Sequence, residues 1–310
     1  CSARSPGCHH SQPRSTHLHH RGSIDHLQTK QMAPSVVALL AQVEALKQDL
    51  VHADERLALN EVLAVQSQDG NPPPMVIRTD HGLCNRLKAV LSHWQIAKAQ
   101  GRQLVVVWRP DDQCNGDFLE CFKPLPDVWF VREPPSWNLE PEVVNTTHPD
   151  VGIAAEIESY ANLLPTASIK AAVAARVLAS GSFVAVHVRR TDLPVFMGPA
   201  FAEHGQTTDT AFMAFLDRHA AHNVHIATCC SHTHGRFSEM YEHRLADVER
   251  PTFSIEQLRQ TPLSEAVVDL FVCAASEHFM GSRGSSFSET IGYLRTHNRK
   301  ERVARATDLK

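Results

Sequence analysis

The sequence predicts an α/β protein built on parallel sheets. Three observations predict it: short apolar runs of strand length alternate with longer segments of helical spacing, glycines stand where those helices would stop, and the alternation starts afresh after Gly181. At 310 residues the chain is long enough for two domains, each with its own buried core.

Residues 1–33 hold His, Ser, Arg and Pro and almost no large apolar side chain, so they are expected to form a disordered tail. His9, His10, His17, His19 and His20 lack the Cys or carboxylate framework that would fix a metal, and a solvated tail is the simpler reading. Over 34–74 the pattern changes. Val36, Leu39, Val43, Leu46, Leu50, Ala53 and Leu57 recur at steps of three and four, a seam of about three heptads. It predicts a helical stem, either paired as a coiled coil with Asn60 in register or docked on its own domain. The polar stretch from Gln66 to Pro74 closes that helix and opens the folded body.

Residues 75–181 are expected to form a first Rossmann-like domain. Met75 to Arg78 predicts a strand; Leu83, Leu87, Leu91 and Trp94 lie at helical spacing, with Gly101 as the stop; Leu104 to Trp108 predicts a buried strand and Val128 to Val131 another. Ile169 to Ala179 predicts a helix that Gly181 ends. Residues 182–310 repeat the scheme: strand Phe183 to Arg190, helix Ala211 to Ala221, strand Val224 to Thr228, helix Glu265 to Ala275, strand His278 to Met280 and helix Phe287 to Arg295.

Composition narrows the function classes. A net charge of -4 with both signs interspersed provides no general footprint for nucleic acid or an anionic membrane, so any phosphate binding must be local. No apolar run is long enough to span a bilayer. The chain starts at Cys1 rather than Met, as a truncated or processed protein would. Eight cysteines are too few for a disulfide scaffold; Cys114 and Cys121 flank a loop and are placed to bridge in an oxidising compartment, whereas adjacent Cys229 and Cys230 would bond to each other only under strain. Asn145-Thr146-Thr147 is an acceptor sequence for N-glycosylation.

Three segments carry candidate chemistry. In Val184-Ala185-Val186-His187-Val188-Arg189-Arg190-Thr191-Asp192, alternation sets Ala185, His187 and Arg189 on one face, and Arg190 and Asp192 emerge at the strand's carboxyl end, where open parallel sheets hold ligands. Two guanidiniums there predict an anion between them, and a diphosphate matches their forks. A surface Arg-Asp ion pair is the bland alternative. In Gly281-Ser282-Arg283-Gly284-Ser285-Ser286-Phe287-Ser288-Glu289, Ser286 and Glu289 fit a capping box, and a helix start of this kind favours phosphate. Asp80-His81-Gly82-Leu83-Cys84-Asn85-Arg86-Leu87 joins a strand to a helix, with Asn85 in the first turn facing the crevice.

These runs resemble a known family. His187-Val188-Arg189-Arg190-Thr191-Asp192 resembles the H-x-R-R-x-D motif of the GDP-fucosyltransferase superfamily (α1,2-, α1,6- and protein O-fucosyltransferases). Ser285-Ser286-Phe287-Ser288 is similar to its S-S-F-[ST] motif, and Gly82-Leu83-Cys84-Asn85-Arg86 to its N-terminal G-x-G-N segment, in the same order along the chain. The resemblance implies a GT-B fold, the acceptor entering on the side of 75–181 and the GDP-sugar held by 182–310. It implies that Arg189 and Arg190 grip the GDP phosphates, that His187 and Asp192 support them, that Ser285 and Ser286 contact phosphate, that Phe287 lies near the guanine, and that Gly82 and Asn85 face the reacting centre. It implies inversion at the sugar, no metal or other cofactor, a glycan or glycoprotein acceptor, and residence in the Golgi or endoplasmic reticulum lumen; the heptad seam, separately, offers a dimer contact through the stem. Where the family commonly reads A-T-D, this chain reads Ala227-Thr228-Cys229-Cys230, and Cys84 replaces a glycine. A general base is not assignable; Asp80, His81 and Glu203 qualify by position only. Two other readings stay open: another nucleotide-sugar donor on the same fold, and a non-catalytic relative that binds ligands or partners.

Overall fold

Strand length and complete burial of Leu104–Trp108 make it a centre about which a sheet assembles. The structure, a computed structural model, describes residues 72–134, 141–190, 198, 206–246, 253–256 and 258–307. The His-rich tail, nearly all of the expected stem, Asp192 and Glu203 lie outside the described residues.

Strands β1 (Met75–Thr79), β2 (Leu104–Trp108), β3 (Val128–Val131) and β4 (Glu142–Val143) form a parallel sheet in the order β3-β2-β1-β4. Strands β5 (Phe183–His187), β6 (Asn223–Ala227) and β7 (His278–Gly281) form a second parallel sheet in the order β6-β5-β7. The protein is therefore α/β with parallel sheets. Strand β5 is buried along its whole length and stops at His187, short of the expected Arg190, because Val188 and Arg189 no longer pair on both sides.

Helices α1 (Leu83–Ala99), α2 (Phe118–Cys121), α3 (Ile153–Ser159), α4 (Ala167–Ser180), α5 (Asp209–Arg218), α6 (Ser231–Tyr241), α7 (Leu263–Ala275) and α8 (Ser286–Thr307) fill the crossovers. The glycine stops work as expected. After α1, Gly101 takes a φ of 63°, and the N–H groups of Gly101 and Arg102 return to the carbonyls of Lys98 and Ala97, a Schellman ending. Among the described residues no helix is long and apolar enough to cross a membrane.

One apolar cluster takes in Ile77, Leu104 and Val106 of the first sheet, Phe183 and Ala185 of the second, and Leu87 and Leu270 of the helices. The opposite face of β5 (Val184 and Val186), continued by Val188, packs with Phe212, Leu216 and Phe237. Cys114 and Cys121, expected as a possible bridge, are both free and buried inside the first cluster, where they pack as small apolar side chains.

The loops at the carboxyl ends of β1 and β2 are joined by Arg86, which is fully buried. Its Nε donates to the His81 carbonyl, its Nη1 to the Arg109 carbonyl at 2.6 Å and its Nη2 to Asp111 Oδ2 at 2.5 Å. The guanidinium lies over the Trp108 ring at 5.1 Å. Asp111 Oδ1 in turn accepts from the N–H groups of Gln113 and Cys114 at 2.9 and 2.8 Å. Exposed pairs such as Arg109–Glu133, whose side chains are 47% and 55% exposed, contribute about 0–1 kcal/mol each and decide little. Arg86 is different, because its removal strands three acceptors. Arg86→Met is expected to lower stability by about 2–3 kcal/mol in urea unfolding, whereas Arg109→Met should change it by less than about 1 kcal/mol.

Candidate functional site

A cleft of about 300 Å³ opens at the carboxyl ends of strands from both sheets, the place where parallel α/β sheets gather ligands. The first sheet contributes Gly82 and Asn85 from the start of α1, and Gln113, Cys114 and Asn115 from the loop after β2. The second contributes His187 and Arg189 from the end of β5, Thr228 and Cys229 from the end of β6, and Ser286 and Phe287 from the start of α8. Arg259 and Thr261, ahead of α7, close the wall.

His187 organises the second sheet's side. In the ladder it lies between Ala227 of β6 and Gly281 of β7. Its carbonyl accepts from the Ser282 N–H at 3.0 Å, and Ser282 Oγ accepts from the Arg189 N–H at 2.9 Å, so β7 holds the Arg189 backbone past the end of the strand. Its Nδ1 meets Ser288 Oγ at 2.7 Å, and its ring stacks on Phe287 with centroids 4.5 Å apart. Gly281 permits this approach: a Cβ there would stand 2.5 Å from the Cβ and Oγ of Ser288.

Burial holds the His187 imidazole far below its usual value, at about 3, with the Arg189 and Arg259 guanidiniums lowering it further. It is neutral at pH 7 and lends the cleft no charge. Burial likewise pushes the Cys84 and Cys114 thiols up to about 12, so both are un-ionised walls rather than nucleophiles.

Two helix starts face the cleft. Gly82, extended at φ -61°, is the N-cap of α1 and offers no side chain to its N–H groups. For α8 the expected box between Ser286 and Glu289 is not formed. Ser285 is the cap: its carbonyl accepts from the Glu289 N–H at 3.0 Å and its Oγ lies 3.5 Å from the Ser288 N–H. Ser285 is buried behind the rim, and Ser286 is left facing the cleft. The Glu289 carboxylate instead pairs with Lys88 and accepts from the Tyr293 hydroxyl at 2.8 Å, which couples α8 to α1.

The structure thus brings Gly82, Asn85, His187, Arg189, Ser286 and Phe287 together. Arg190 is the correction. Alternation past β5 turns it away from Arg189, onto the face of Val188, where it stands 5.6 Å over the Phe212 ring. Its Nη2 donates to Asp209 at 2.5 Å and to the Thr207 carbonyl at 2.8 Å. It is part of the scaffold beneath the cleft. Asp80 also leaves: it pairs with Arg78 at 3.1 Å, while its N–H donates to Asn145 Oδ1 at 3.0 Å. His81 does line the cleft.

Sequence reasoning missed Gln113, Asn115, Arg259, Thr261 and Asp269. The loop after β2 was findable, since it follows the carboxyl end of a recognised strand; Arg259 follows a stretch with no periodicity and carried no signal. Asp269 is the one carboxylate among the described lining residues, and its Oδ1 already meets His225 Nε2 at 2.9 Å and Arg176 at 3.5 Å. Among the described residues no group of three or more His, Cys, Asp or Glu side chains is placed to hold a metal ion.

No protein-family model and no curated protein matches the sequence. Solved structures do. NodZ alpha-1,6-fucosyltransferase soaked with GDP-fucose is 16% identical, with a TM-score of 0.47, the match covering 71% of this chain and 92% of that one. Fucosyltransferase NodZ from Bradyrhizobium is 17% identical, with a TM-score of 0.46, over 70% and 92%. POFUT1 in complex with GDP is 12% identical, with a TM-score of 0.47, over 73% and 95%. At such identities the functional reading rests on the side chains of the cleft.

The buried imidazole makes a pH prediction. Between pH 6.5 and about 3 the unfolded chain binds a proton at this residue that the folded chain does not, so stability is full above 6.5 and lost as pH falls. The loss from this group approaches about 1.4 kcal/mol per pH unit within that window. Melting temperatures measured from pH 7 to 5 should fall more steeply for the native chain than for His187→Asn; parallel slopes would contradict the assignment.

Proposed function

We propose that the chain is an inverting glycosyltransferase of GT-B architecture that takes GDP-fucose as donor and a glycan or protein hydroxyl as acceptor. One observation carries the reading: the three motifs that resemble the fucosyltransferase superfamily, far apart in sequence, line a single cleft through Gly82 and Asn85, His187 and Arg189, and Ser286 and Phe287. In this reading residues 75–181 form the acceptor side and 182–310 the donor side. Residence in the Golgi or endoplasmic reticulum lumen and pairing through the N-terminal stem belong to it as well.

The chemistry follows from charge and placement. The acceptor oxygen attacks the anomeric carbon from the face opposite GDP; the bond from that carbon to the phosphate oxygen breaks, the electron pair leaves on the diphosphate, and the hydroxyl proton passes to water or to the departing diphosphate. Arg189 meets the growing charge with a planar fork, and the starts of α1 and α8 add N–H groups and the positive ends of their dipoles. Charge supplied in this way serves where other transferases use a metal cation, and no cofactor enters the scheme. His187, neutral and held by Ser288 and Phe287, sets the position of the Arg189 backbone rather than neutralising phosphate. Phe287 offers its ring to the guanine, and Asn85 faces the reacting centre.

A second reading, donor binding without transfer, is favoured by one specific observation. Asp269, the only carboxylate among the described lining residues, is engaged by His225 and Arg176, and Cys229 stands where the superfamily commonly has Asp. Calorimetry with GDP and UDP, followed by mass spectrometry of acceptor glycans incubated with a panel of nucleotide sugars, separates the readings. The proposal expects tight binding of GDP over UDP and a deoxyhexose added only from GDP-fucose. Transfer from a different nucleotide sugar replaces the donor, GDP binding with no product favours the second reading, and no GDP binding removes both.

The same assay distinguishes the two adjacent arginines. Arg189→Ala is expected to weaken GDP about 10- to 100-fold, the loss of hydrogen bonds to a charged group. Arg190→Ala is expected to lower the melting temperature through its lost bonds to Asp209 and Thr207, while the folded fraction binds GDP within about threefold of the native chain.

A further inference from the structure

Asn145 opens the acceptor sequence Asn145-Thr146-Thr147, to which the proposed reaction gives no role. The sequence holds no other N-x-S/T run. In the structure this segment leaves β4 at the edge of the first sheet. Arg78 of β1 pairs with Val143, and the Val144 N–H donates to the Arg78 carbonyl at 2.9 Å. There the ladder ends, and the Asn145 side chain takes its place: its Oδ1 accepts from the Asp80 N–H at 3.0 Å. A backbone N–H can only donate, so this bond fixes which end of the amide is the oxygen. Further on, the His148 N–H donates to Ser92 Oγ at 2.8 Å, and the His148 ring meets that of His93 edge-on at 4.9 Å. Residues 144–148 therefore run from the end of β1 to the middle of α1 as a brace held at both ends.

The acceptor run is open to solvent. Thr146 is exposed, Asn145 and Thr147 are half-buried, and Pro149 and Asp150 beyond them are exposed. We propose that Asn145 is an N-glycosylation site, and that the glycan and the brace use opposite ends of one amide. In the covalent step Nδ2 gives up one proton and bonds the anomeric carbon of an oligosaccharide. The lipid diphosphate that carried the sugar departs with the electron pair of the broken C–O bond. The product is still an amide, so Oδ1 keeps its lone pairs and its bond to Asp80. The oligosaccharide then stands beside Asp80, next to His81 on the cleft rim. The inference rests on the lumenal residence in the proposed function, and not on the donor or the reaction.

The test uses the full chain, made with a secretion signal in cultured animal cells and separately in bacteria that lack a glycosylation pathway. Peptide mass spectrometry of the secreted chain should find an oligosaccharide on Asn145, removable by peptide N-glycosidase and absent from Thr147→Ala. Bacterial Thr147→Ala should melt with the bacterial native chain. Bacterial Asn145→Ala should melt about 2–4 °C lower, the loss of one hydrogen bond from a backbone N–H. The glycosylated chain should melt no lower than the bacterial one. Unmodified Asn145 in the secreted chain overturns the site. Equal melting of bacterial Asn145→Ala and the native chain overturns the brace, and a glycosylated chain as weak as Asn145→Ala overturns their coexistence. Should Asn145→Ala fail to fold, Asn145→Asp keeps an oxygen for Asp80 and is expected to fold; its failure overturns the brace. The lumenal reading fails separately: Asn145 modified in the secreted chain but unmodified in the chain's native cells overturns that residence and upholds the site.

Discussion

The close approach of β7 to the first turn of α8 is the constraint on which the cleft depends. Gly281 has no side chain, so Ser288 comes within hydrogen-bond reach of His187, and Phe287 lies flat against its ring. The next residue, Ser282, bonds the backbone on either side of Val188. The position of Arg189 therefore follows from a glycine, two serines and a neutral histidine on neighbouring segments. A larger residue at 281 would separate the strand mouth from the helix start, because its Cβ would stand 2.5 Å from Ser288.

The electrostatic character of the cleft follows from what is not ionised. His187 is held neutral by burial, and the thiols of Cys84 and Cys114 are pushed up to about 12. What remains on the described wall is permanent cationic charge, helix starts and amide side chains, with one carboxylate already engaged. A guanidinium keeps its charge from acid to alkaline pH. The supporting frame is mechanical as much as electrostatic: Arg86 joins the first sheet's two loops from below, and the Glu289–Lys88 pair fastens α8 to α1.

Much of the fold was legible because burial leaves a period in the sequence. Leu104–Trp108 and Val128–Val131 were readable to the residue, and Gly101 and Gly181 marked true helix ends. What escaped had no apolar period to show. Strand β4 is two exposed residues, Glu142 and Val143, and α6 is a polar helix that carries two Ser, two His and a Gly. The site was legible in its motifs and less so in its directions. Spacing placed both arginines at one strand end, but alternation sends Arg190 to Asp209 on the other face. Ser286 was one residue from the true cap, a shift that the cap's own hydrogen bonds decide. Arg259 was invisible, since only the tertiary fold carries it to Gln113 and Cys229.

A crystal of the protein soaked with GDP tests the central claim most directly. The account predicts the diphosphate within hydrogen-bond distance of the Arg189 guanidinium, between the first turns of α1 and α8. GDP bound on the far face, against Arg190 and Asp209, or absent from the cleft at saturating concentration, would contradict it.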